Sequence, residues 1–212
     1  ARKLGFTTKI FADDALALGA SCSKLDEMAR AFTVFARLGQ WWPRAAGHER
    51  DWAYVRRIVD RTGKTIEDNT MPEDPQLTAE DRLDRVAATS GVVPLQAIPQ
   101  RTSYLMQRLL EHEVRFGFAN VVRATGMNAA GKTGTSSATS DNMFIAFTSK
   151  FTTLVWMGYD RKERALGMSD AAYFTVVPFW ALYVYEAGPN YPNPEIPWVR
   201  PPGRKTESRA YH

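Results

Sequence analysis

The chain has a single cysteine, Cys22, and three histidines, His48, His112 and His212. One thiol excludes an internal disulfide and leaves the redox compartment open in both directions. The histidines are scattered, and no His, Cys and carboxylate group has metal-ligand spacing, so no metal site and no cofactor are expected. Long apolar runs are also missing. The longest, residues 174–185, contains Pro178 and is shorter than the roughly 20 residues a bilayer span needs. It reads as a buried helix. No charged-then-apolar leader stands before the first element, so any targeting or anchoring segment is expected upstream of Ala1. Charge of one sign is not in excess: the net charge is +4 and the charges are interspersed. That mild excess favours an anionic surface, but without a basic cluster no nucleic acid is expected as a partner.

What is present suits a folded domain. A length of 212 residues, 44% of them hydrophobic, allows one substantial domain or a piece of a larger one. Ser23 reads as a helix N-cap with Asp26 as its capping partner, and Leu25, Met28, Phe32 and Phe35 follow at helical spacing up to Gly39. Trp41, Trp42 and Trp52 lie in a loop-like stretch and read as cover for a core edge. Residues 54–59, the turn 60–64 and residues 65–66 read as a hairpin. The polar stretch 67–90 reads as a loop with a short helix at 78–86. Pro99 suits a first helical turn, with Tyr104, Leu105, Leu109 and Val114 as the apolar positions that follow. A short helix is expected at 118–123, strands at 143–149 and 152–159 joined at Ser149-Lys150, and a helix at 173–187. From Gly188 the chain is Pro-rich and reads as extended.

The chemistry concentrates in residues 126–136, Gly-Met-Asn-Ala-Ala-Gly-Lys-Thr-Gly-Thr-Ser. Two patterns overlap there. Residues 126–133 fit the phosphate-cradling GxxxxGK[ST], which would make the chain a nucleotidase. That pattern needs a helix starting at the lysine. The residues after Thr133 are poor helix formers, disfavouring a helix by roughly 3–4 kcal/mol in summed propensity relative to alanine. As a strand the segment is coherent: 130–136, 143–149 and 152–159 would make an antiparallel meander. Thr133 and Thr135 would share a face. Gly134 would leave room for another backbone or a ligand. Two hydroxyls beside an ammonium make a receptor for a carboxylate.

Several segments fall in an order that resembles the C-terminal part of the transpeptidase domain of class A, bifunctional, penicillin-binding proteins. They are residues 1–5, 16–20, 27–32, 57–61 with Gly63-Lys64, 104–106, 130–135 and 155–160. The resemblance covers most of residues 1–203, thinly over 40–53 and 67–95. It implies an α+β fold, an antiparallel sheet flanked by helices with its N-terminal part missing. Residues 1–187 would form the domain portion and 188–212 a Pro-rich tail. It also implies a serine-type DD-transpeptidase, in which a Ser-x-x-Lys nucleophile, a Ser-x-Asn motif and a Lys-Thr-Gly strand act together. Lys132 would supply positive charge, and Thr133, Gly134, Thr135 and Ser136 would bind substrate. The Thr135 N–H would face the oxyanion.

Two look-alike motifs depart from the family's order. Ser21-Cys-Ser-Lys24 lies before the first helix, and Ser140-Asp-Asn142 follows the Lys-Thr-Gly strand and is expected in the turn after it. Neither reads as catalytic, so the nucleophile is expected upstream of Ala1 and this fragment is expected to be inactive alone. The implied partners are peptidoglycan stem peptides, β-lactams and an upstream glycosyltransferase domain. The implied location is the periplasmic face of a bacterial inner membrane. The remaining alternative is a catalytically dead protein that binds or scaffolds cell-wall peptides.

Overall fold

The computed structural model describes residues 2–11, 14, 16, 19, 21–41, 57–68, 95–136, 139–148, 151–159, 164–167 and 170–187. Trp42, Trp52, the helix expected at 78–86, the turn at Ser149-Lys150, Asp160 and the tail from 188 lie outside them. The chain divides into two units, Ala1–Gln40 with Gln96–His212, and Trp41–Leu95. The fold is α+β.

In the first unit, β5 (Ala130–Thr135), β6 (Asp141–Phe147) and β7 (Thr152–Gly158) form an antiparallel sheet in the order β5-β6-β7. The meander expected from the β-branched and aromatic residues is there, with β6 beginning two residues before the expected 143. Phe144, Ile145, Ala146 and Phe147 are all buried, so both faces of β6 are covered. On one face, α3 (Val176–Ala187) sets Trp180 edge-on to Phe144, with ring centroids 5.5 Å apart. Pro178 is tolerated there because it falls in the first turn, where no intrahelical N–H partner is lost. Val176, Val177 and Val184 complete that core with Val114, Ala119 and Val122. On the other face, Phe147 and Ala130 pack with Leu110, Phe32 and Phe35.

The helix expected at 173–187 is thus a helix from 176 after a turn, and only one side of it is buried. Phe179, Leu182, Tyr183 and Tyr185 are exposed. No helix among the described residues is long and apolar enough to cross a membrane.

The first helix, α1 (Leu25–Ala36), opens at Lys24 rather than at the expected cap Ser23, with no side-chain cap hydrogen bond. Its first turn is instead tied to the N-terminal segment. Glu27, buried on α1, accepts hydrogen bonds from the hydroxyls of Thr7 and Thr8 (2.6 Å for Thr8) and from the Thr7 N–H at 3.2 Å. At the other end, α1 leaves carbonyls without intrahelical partners. The second helix, α2 (Gln100–Phe116), supplies them: Ser103 Oγ donates to Phe35 O at 3.1 Å, and Gln107 Nε2 donates to the same oxygen.

That polar anchoring decides which side of α2 faces inward. Ser103, Gln107, Leu110, Glu111 and Val114 are buried, while Leu105 and Leu109, two of the apolar positions read from the sequence, turn outward. A 3-10 turn over Asn120–Thr125, two residues later than expected, buries Val122 and ends at Gly126, whose φ is +70°. The chain then enters β5.

The second unit holds the expected hairpin, β2 (Arg57–Val59) against β3 (Thr65–Asp68). Asp60 Oδ1 organises its turn by accepting from the Thr62 N–H at 2.8 Å, the Thr62 hydroxyl at 2.6 Å and the Lys64 N–H at 3.0 Å. Short strands β1 (Gln40–Trp41) and β4 (Leu95–Gln96) make a further two-stranded sheet.

Candidate active-site strand

Lys132 and Thr133 lie inside β5, not at a helix N-terminus. The phosphate-cradle reading therefore fails on backbone geometry, since the cradle requires helix N–H groups aimed at the anion. What the strand does present follows from its register. The Ser136 N–H donates to Asp141 O at 2.9 Å, continuing a ladder in which Gly134 faces Met143 and Lys132 faces Ile145. In an antiparallel pair, hydrogen-bonded and non-hydrogen-bonded positions alternate. The N–H and C=O groups of residues 131, 133 and 135 thus point away from β6. Because β5 is the end strand of the sheet, they line its outer edge.

Side chains arm the same edge. Lys132 Nζ curls round to donate to Thr133 O at 3.1 Å and to Thr133 Oγ1 at 3.3 Å, with Glu113 Oε1 of α2 at 3.9 Å. Thr133 and Thr135 share the face that carries their cross-strand partners Phe144 and Asn142. Thr135 Oγ1 accepts the Ala172 N–H at 3.1 Å. One of its two lone pairs is thereby occupied, and its proton is left to donate. Gly134 would meet nothing closer than Met143 Cε, at 3.5 Å, if it carried a Cβ. Packing within the sheet does not demand glycine there.

The remaining sequence candidates go elsewhere. Ser136 Oγ is used by the turn into β6, accepting the N–H groups of Ser140 at 2.9 Å and Asp141 at 3.0 Å. Ser140 is buried and donates to Asp141 Oδ2 at 3.0 Å. Asp141 and Asn142, expected in a turn, open β6 instead. Asn142 is fully buried and its amide donates to Asp170 O and, at 3.0 Å, to Thr175 Oγ1. This Ser-Asp-Asn is a brace between β6 and the entry to α3. Ser21 precedes α1, and Lys24 pairs with Glu27 at 3.8 Å. With α1 opening only after Lys24, these two do not share a helical face.

Two participants escaped the sequence reading. Ala172 acts through its backbone, which no residue type announces. Glu113 reaches Lys132 only because α2 runs beside β5.

A three-stranded meander with an edge strand carrying Lys132, Thr133 and Thr135, and helices on both faces, is the arrangement that the ordered segments above lead one to expect. Comparison with known proteins agrees. The chain is 29% identical to penicillin-binding protein 1A of Neisseria gonorrhoeae over 185 residues, covering 86% of this chain and 20% of that protein. It is 28% identical to the penicillin-binding protein 1A of Aquifex aeolicus over 170 residues, 80% of this chain and 19% of that one.

Among solved structures, penicillin-binding protein 1A of Haemophilus influenzae matches with a TM-score of 0.69 at 23% identity, over 92% of this chain and 31% of that one. A penicillin-binding protein of Mycobacterium tuberculosis matches with a TM-score of 0.60 at 18% identity, over 92% of this chain and 49% of that one. No protein-family model matches. The homologues are class A penicillin-binding proteins, and the chain spans about a fifth of the length of the curated relatives it matches.

Proposed function

We propose that β5 is the substrate-carboxylate strand of a peptidoglycan DD-transpeptidase domain. The observation that carries this is the outer edge of β5. Outward backbone groups at 133 and 135, two threonine hydroxyls and the Lys132 ammonium lie along one strand edge that pairs with no further strand among the described residues. A peptide ending in a carboxylate can add to that edge as a further strand. Its carboxylate would accept from Thr133 and Thr135 within the field of Lys132. The Thr135 N–H would stabilise the oxyanion formed when the penultimate carbonyl is attacked.

The attacking serine is proposed to lie outside this chain, since neither Ser21 nor Ser140 has the surroundings of an activated nucleophile. The acyl-enzyme, acyl transfer between stem peptides, β-lactam recognition, an upstream glycosyltransferase domain and a periplasmic membrane-anchored setting belong to the same proposal. The names and ordered similarity of the relatives support them. On this reading the 212-residue chain alone is inactive. Incubation with a fluorescent penicillin followed by intact-mass measurement is expected to show no covalent adduct. An adduct mapped to Ser21 would overturn the assignment.

A further inference from the structure

Lys132 already has an anion beside it. Glu113 Oε1 stands 3.9 Å from its ammonium, is buried, and makes no hydrogen bond. Buried carboxylate oxygens without a partner are costly, so the ammonium is what compensates this one. The neighbouring carboxylate on α2 is otherwise engaged: Glu111 is held by Arg108 and, at 3.0 Å, by Arg115. Gly117 keeps the place open, because a Cβ there would collide with the Glu113 carboxylate. On its other side the Lys132 ammonium reaches the outer edge of β5 through Thr133. It therefore bridges an internal carboxylate and the edge proposed to take an external one.

We propose that Glu113 is the resting counter-ion of Lys132 and competes with carboxylate ligands for it. This rests on reading β5 as the carboxylate strand. With the site empty, Glu113 partly neutralises the ammonium. A ligand carboxylate on Thr133 and Thr135 must share it, so Glu113 sets how tightly β5 holds an anion. Glu113 touches no ligand and acts through Lys132, which makes it a positioning residue.

Calorimetric titration of the 212-residue chain with N-acetyl-D-alanyl-D-alanine tests this. Glu113→Gln, which keeps shape and removes charge, is expected to tighten binding by about three- to tenfold at low salt. The gain should shrink at high salt, where the exposed Lys132 ammonium is screened. Glu113→Asp should behave like the parent, and in a Lys132→Ala background Glu113→Gln should gain much less. If Lys132→Ala weakens binding but Glu113→Gln leaves it unchanged or weaker, the counter-ion proposal is wrong while the β5 reading stands. If Lys132→Ala leaves binding unchanged, the β5 reading fails and this proposal with it.

Discussion

Glu27 illustrates how a single side chain couples the N-terminal segment to α1. Burial alone would raise its carboxyl, but the hydroxyl and backbone N–H groups of Thr7 and Thr8 outweigh that, and it sits at about 2 against an ordinary 4.5. The folded value is the lower one, so the charged carboxylate stabilises the fold fully above about pH 4.5. That contribution is lost as pH falls toward 2. Glu27→Gln is therefore expected to lower the melting temperature at neutral pH and to flatten its decline between pH 4.5 and 2. Thermal melts across that range check it, and parallel curves for the two proteins would count against the role. In the sequence, Asp26 was the visible capping partner, and nothing local marked Glu27 as the tie, because its hydrogen-bond donors lie nineteen and twenty residues upstream. Lys132 and Thr133–Thr135 were legible for the opposite reason. Their chemistry is compressed into one contiguous string.

Within β5 the glycines divide the labour. A Cβ on Gly131 would stand 2.6 Å from both Ala146 Cβ and Ile145 O, whereas Gly134 has ordinary clearance toward β6. Gly131→Ala is thus expected to destabilise by about 1–3 kcal/mol, the usual cost of overpacking. Gly134→Ala should stay within about 0.5 kcal/mol while weakening ligand binding along the outer edge. Urea denaturation of the two variants separates these outcomes. Equal losses would mean that Gly134 serves packing rather than a ligand. The meander itself was readable from its β-branched and aromatic residues. The buried side of α2 was not, because its orientation follows from bonds to Phe35 O, an orphaned carbonyl on another helix. Hydrophobic spacing alone marked Leu105, Leu109 and Val114 as apolar without showing which of them turn inward.

At the scale of the molecule, the α+β class came from the order of segments rather than from any one of them. Residues 126–136 by themselves fitted two unrelated enzymes, and the strand that holds Lys132 and Thr133 excludes the phosphate cradle. The apolar surface on α3, at Phe179, Leu182 and Tyr183, was hidden from the sequence reading. A run that is apolar on all sides does not reveal which side is covered.

The proposed activity depends on β5 receiving a peptide carboxylate along its outer edge. Titrating the isotopically labelled chain with N-acetyl-D-alanyl-D-alanine, and following backbone amide shifts by NMR, tests that most directly. The expected result is saturable perturbation centred on Thr133 and Thr135, extending to the Ala172 amide that bonds Thr135, and abolished by Thr135→Val. Saturable binding that leaves the amides of β5 unmoved would contradict it.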